Sequence, residues 1–175
     1  RHMAKTIREA DGGRHLISQN IANHEQTITG ADANVSIFNF HYARPLRAVG
    51  QNYSLNRPIG MNETGFDGSD DAIYRIQAWD FLVAGGALYN NLDYSFAVGF
   101  ENGTFEPPAT TPGGGSAELR RQLGYLKRVF EGGEFVKMRP MEEVSSHGRC
   151  LGRAGAEYLC YAHYGELRNG YRPRY

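Results

Sequence analysis

Between residues 15 and 131 short strand-like segments alternate with helical ones, and no other feature of this chain constrains its fold as strongly. Strands joined through helices of ten or more residues pair in parallel, because the helix carries the chain back to the starting edge of the sheet. The strand-like segments are 15–21 (HLISQNI), 35–40 (VSIFNF), 58–61 (PIGM) and 87–96 (ALYNNLDYSF). The second is rich in β-branched and aromatic residues, as expected for a strand buried on both faces. Residues 5–10 read as a helical stub ended by Asp11-Gly12-Gly13, and 44–52 as a short helix. A longer helix is expected over 69–84. Ser69 serves as its N-cap, Asp70 and Asp71 lie at the positive end of its dipole, and Ile73, Ile76, Phe81 and Leu82 form its apolar side. Gly85-Gly86 stops it. A Gly/Pro-rich loop over 99–115 shows no packing pattern, and Ser116 caps a helix over 117–131 with Leu119, Leu123, Leu126 and Phe130 on one stripe. About four βα units fit before residue 135, which defines an α/β chain.

Composition narrows the partners. Lys and Arg number 19, as do Asp and Glu, so the net charge is zero and neither nucleic acid nor an anionic membrane surface is expected. No run is long and apolar enough to span a bilayer, and no signal peptide is read; Arg1-His2-Met3 resembles a cloning scar. No cofactor or metal is expected. The excess lies in Tyr (11) and Gly (22), residues suited to stacking on polar ligands and to close backbone approach. Cys150 and Cys160 read as neighbouring structural thiols; a disulfide across a hairpin is the alternative in an oxidising compartment. That hairpin is expected over 149–164, with Gly155 in its middle, and 165–175 (GELRNGYRPRY) reads as a frayed end or incomplete domain rather than a basic recognition tail.

The chemistry gathers at two strand ends. Glu63 follows a buried strand and precedes Thr64-Gly65-Phe66, where a parallel strand delivers side chains to the catalytic face. A carboxylate there can attack an anomeric carbon, or it can cap the following turn. His41 and Tyr42 end the preceding strand, placed to hydrogen-bond a sugar hydroxyl and hold Glu63 ionised, or to serve as structural hydrogen-bonders. Trp79 falls inside a helix, where core packing is the simpler role than a sugar platform.

The segments FNFHYARP, RPIGMNETGFDGSDD and AWDFLVAGGALYNNLDYSF resemble, in order, the sixth strand, the seventh strand with its helix, and the eighth strand of cellulase-like (β/α)8-barrel glycoside hydrolases. These are retaining enzymes with an acid/base on strand four and a nucleophile on strand seven. Their nearest counterparts are glycosidases of environmental bacteria whose barrel is followed by a collagen-binding-like β-sandwich, and RCLGRAGAEYLCYAHYGE resembles the opening of that sandwich. The likeness covers most of residues 12–140. It implies half a barrel, strands five to eight, over 4–140 and a partial sandwich-like segment or tail over 141–175. It makes Glu63 the nucleophile. His41, Tyr42 and Asn62, with Tyr89, Asn90, Asp93 and Tyr94 after strand eight, become the residues that hold a carbohydrate. A secreted or periplasmic parent follows from the same likeness. Strands one to four and their Asn-Glu acid/base pair have no counterpart, so the chain is expected to hydrolyse glycosides poorly. A half-barrel is also expected to pair with itself as a homodimer or higher oligomer. The rival class is a non-catalytic binding or scaffold protein of the same shape, holding its ligand with His41, Tyr89 and Tyr94. An ester hydrolase has little support, since Ser36, Ser54 and Ser95 stand in no nucleophile-elbow motif.

Overall fold

A computed structural model describes residues 2–43, 47–145 and 148–163. In chain order the elements are α1 (His2–Ala10), β1 (Ser18–Asn23), β2 (Ile37–His41), α2 (Ala48–Asn52), β3 (Ile59–Glu63), α3 (Asp71–Val83), β4 (Leu88–Tyr89), α4 (Ala117–Glu131), β5 (Arg139–Pro140), β6 (Arg149–Arg153) and β7 (Glu157–Tyr161). β1 to β4 form a parallel sheet in sequential order, and β5, β6 and β7 form an antiparallel one. The fold is therefore mixed α/β, as the alternation of strands and helices requires.

One face of the parallel sheet carries the core. Phe38 and Phe40 of β2 and Ile59 and Met61 of β3, all nearly solvent-free, pack with Ala48, Val49, Ile76 and Phe81 from α2 and α3. Residues of opposite parity, Asn39 and Gly60, share the other face. There Asn39 lies so close over Gly60 that a Cβ built on the glycine would stand 1.9 Å from Asn39 Oδ1. α3 is the hub. Its Ala78 and Val83 join Leu126 and Phe130 of α4 and Leu151 of β6 in a second core, with Trp79 stacked on Tyr161 of β7 at 5.3 Å between ring centres. Burial against this stack and the neighbouring Asp80 carboxylate push the Tyr161 phenol up to about 12. The packing reading of Trp79 matches its place in this cluster.

Several boundaries differ from the sequence reading. α1 begins at His2, and β1 and β2 lie two or three residues later than expected at their starts. The helix expected over 44–52 is α2, beginning at Ala48; residues 44–46 lie outside the described residues. The N-cap of α3 is Asp70 rather than Ser69: its carboxylate accepts from Ala72 N at 2.9 Å. Asp70 is the last residue before the helix with extended backbone, and an ionised oxygen suits that electropositive end. Ser116 caps α4 as expected, accepting from Leu119 N at 2.9 Å. The strand expected over 87–96 shrinks to Leu88–Tyr89. Asn90 N still donates to Met61 O at 2.9 Å, and beyond it the backbone bonds Thr64 and Gly114 instead. The 99–115 loop is pinned as well: Gly103 O accepts from Arg120 Nη2 at 2.6 Å. The 149–164 hairpin is β6 and β7 with Gly155 in its turn at φ +73°, a conformation glycine adopts without strain. Cys150 and Cys160 pair across it and are joined by a disulfide, which replaces the expectation of two thiols. Cross-strand partners directly opposite each other bring their Cβ atoms within disulfide reach. Residues from 164 onward, including the expected frayed end, lie outside the described residues.

Candidate functional site

The site is built at the carboxyl ends of β1, β2 and β3. Register decides which way Glu63 points. Phe40 pairs with Met61, but the next pair is His41 with Glu63, so Asn62 is an extra residue in β3. Strict alternation would place Glu63 with Ile59 and Met61 on the helix-covered face. The extra residue instead delivers it beside His41, as bulges at sheet ends commonly re-aim a side chain. β1 carries a comparable shift between Asn20 and Asn23. β3 also runs two residues beyond the expected 58–61, so Glu63 is its last residue.

The two oxygens of Glu63 have separate partners. Tyr42 donates its hydroxyl proton to Oε1 in a short hydrogen bond, while His41 Nδ1 lies 3.5 Å from Oε2. The Glu63 side chain remains about a third exposed, at 33 %, so it is oriented and still reachable. The backbone ladder continues past the strand ends: Tyr42 N donates to Glu63 O at 2.9 Å and His24 N to His41 O at 2.7 Å. His24, Tyr42 and Phe66, following β1, β2 and β3, have φ of 68°, 48° and 61°. Non-glycine residues in this left-handed region are strained, and such strain gathers at functional sites.

Beneath the turn after Glu63 lies a buried polar network. Thr64 Oγ1 donates to Gln77 Oε1 at 2.8 Å, and Gln77 Nε2 donates to Asp67 Oδ2 at 2.8 Å. Tyr74 gives its hydroxyl proton to Gly68 O at 2.6 Å and accepts from Asp67 N at 3.3 Å. Thr64, Asp67, Tyr74 and Gln77 are all at most 2 % exposed. Gly65 lies against Leu92, whose own amide donates to Thr64 O at 2.7 Å. The turn is thereby fixed from α3 and from the segment after β4.

Of the residues expected to form a site, His41, Tyr42, Asn62, Glu63 and Asn90 come together here; Asn90 Nδ2 donates to Asn62 O at 3.1 Å. The remaining three make contacts elsewhere. Tyr89 donates its hydroxyl to Tyr74 O at 2.9 Å, toward α3. Asp93 is paired with Arg120 at 2.8 Å and accepts from Ser95. Tyr94 lies against Gly113, with its amide bonded to Gly114 O. Glu25, after β1, is held by Arg47 at 2.7 Å.

Sequence reasoning missed Phe66 and the pair Tyr74 and Gln77. A signal existed for the pair: positions 70, 74, 77 and 81 share one helical face, and a glutamine beside Phe81 on that face is a polar group among core residues. Among the described residues no cluster of three or more His, Cys, Asp or Glu is arranged to hold a metal ion, and no helix is long and apolar enough to cross a membrane. No family model matches the chain, and neither curated proteins nor solved structures provide a match.

Proposed function

We propose that this chain is a glycoside hydrolase-related protein, half of a (β/α)8 barrel, that takes a poly- or oligosaccharide at the carboxyl end of its parallel sheet with Glu63 as retaining nucleophile. The observation that carries this reading is the Tyr42–Glu63–His41 constellation: a solvent-reachable carboxylate at the end of a parallel strand, oriented through both oxygens. Retaining hydrolysis also needs an acid/base carboxyl about 5 Å from the nucleophile. Glu25 and Asp93, which follow neighbouring strands, are engaged by arginines and do not suit that task. Aryl glycosides with poor leaving groups are therefore expected to turn over slowly, and Glu63→Gln to abolish whatever rate is seen. A clear rate that survives Glu63→Gln contradicts the assignment.

The second reading is a non-catalytic binding or scaffold protein that self-associates. It is favoured by the parallel sheet, whose outer strands β1 and β4 each pair on one side only among the described residues. Two copies meeting edge to edge would supply eight strands. Light scattering at micromolar concentration is expected to give at least the dimer mass, and a monomer mass contradicts it.

A further inference from the structure

The segment after β3 inverts the usual rule of burial. Thr64 and Asp67, both polar, are 0 % and 2 % exposed, whereas Phe66 between them is 57 % exposed. Exposed single apolar residues are ordinary, but this one also sits at φ +61°, a conformation a bulky side chain avoids. A phenylalanine there loses much of its burial and adopts an unfavourable backbone, so it contributes little to folding. The turn that presents it is nevertheless rigid, fixed on both sides of Phe66 by the hydrogen bonds of Thr64, Asp67 and Gly68. Its ring meets Tyr42 edge-on, 5.7 Å between centres and 71° between planes, and Tyr42 is the residue bonded to Glu63.

We propose that Phe66 is a stacking platform for a sugar ring in the subsite beside Glu63, with Tyr42 as the adjoining wall. This rests on the carbohydrate reading of the Glu63 site and extends it to the geometry of the ligand. A pyranose ring has a flat face of C–H groups and a rim of hydroxyls. An exposed aromatic face suits the first, and the Glu63 carboxylate and His41 imidazole suit the second. The strained, exposed phenylalanine then has a function that offsets its cost to stability. The subsite should accept sugars whose hydroxyls are all equatorial, so that each ring face presents only axial C–H bonds, as in β-linked glucose or xylose chains.

The test is saturation-transfer NMR on the whole chain with cellotetraose and with xylotetraose, using wild type, Phe66→Ala, Phe66→Tyr and Phe66→Gly. Wild type is expected to transfer saturation mainly to the axial protons on one face of one sugar residue, either H1, H3 and H5 or H2 and H4. Phe66→Ala should weaken binding about tenfold, the size of one aromatic contact, and Phe66→Tyr should retain it. Phe66→Gly should lose binding while its melting temperature stays at or above that of wild type, because glycine removes the strain. A merely structural phenylalanine would instead lower the melting temperature. Binding by wild type that Phe66→Ala leaves unchanged overturns the platform and leaves the carbohydrate reading standing. No binding of either sugar by wild type overturns both.

Discussion

Gln77→Leu is expected to lower the stability of the chain by about 3 kcal/mol, with a fall in melting temperature of about 6–12 °C. Leucine nearly matches glutamine in volume, so the loss does not come from a cavity. It comes from Thr64 Oγ1 and Asp67 Oδ2, which both lose their bonds to the Gln77 amide in a setting that excludes water. Removing one partner of a buried polar pair costs the desolvation of the other, and a carboxylate oxygen is the more expensive group. The turn bearing Phe66 loses one of its two anchors to α3 and keeps that of Tyr74, so the carbohydrate binding proposed for it should weaken with stability. Thermal denaturation followed by circular dichroism checks the first effect. A variant within about 1 kcal/mol of wild type would show that the network does not hold the turn.

Reduction of the Cys150–Cys160 bond is expected to destabilise the β6–β7 hairpin by about 2–3 kcal/mol, the loop-closure entropy of a cross-link spanning about ten residues. Trp79 is the only tryptophan of the chain, and Tyr161 of the hairpin stacks on it. Its fluorescence therefore reports hairpin docking locally. With dithiothreitol, or in Cys160→Ser, the emission should shift to longer wavelength at a lower temperature than in the oxidised chain. Coincident melting curves for the two forms would show that the disulfide adds nothing to the docked hairpin.

Elements whose limits are set by local chemistry were legible in the sequence. Ser116 capping α4 and Gly155 turning the hairpin depend on residues within a few positions of each other. β4 was not legible, because the length of a strand is set by what it pairs with. Leu88 and Tyr89 find Gly60 and Met61, and the apolar residues that follow have no partner in the ladder. The orientation of Glu63 was hidden for the same reason. Alternation counted from Ile59 turns it toward the helices, and only the pairing of His41 with Glu63 reverses that. That Glu63, His41 and Tyr42 lie close together could be read from their positions at neighbouring strand ends, but the assignment of one oxygen to each partner could not. Nothing in the sequence around Phe66 marks it as exposed, and neither its 57 % exposure nor its φ of +61° is set by a local motif.

The nucleophile role proposed for Glu63 can be tested without the acid/base. A 2,4-dinitrophenyl 2-deoxy-2-fluoro-β-glycoside carries a leaving group that departs as the phenolate, needing no proton. The carboxylate of Glu63 would form the bond to the anomeric carbon as that of the phenolate breaks, and the fluorine slows hydrolysis of the ester. Peptide mass mapping after incubation with gluco-, xylo- and galacto-configured reagents is expected to find one glycosyl adduct, on Glu63, and none in Glu63→Gln. An adduct on another residue, or none with any of the three sugars, would contradict the account.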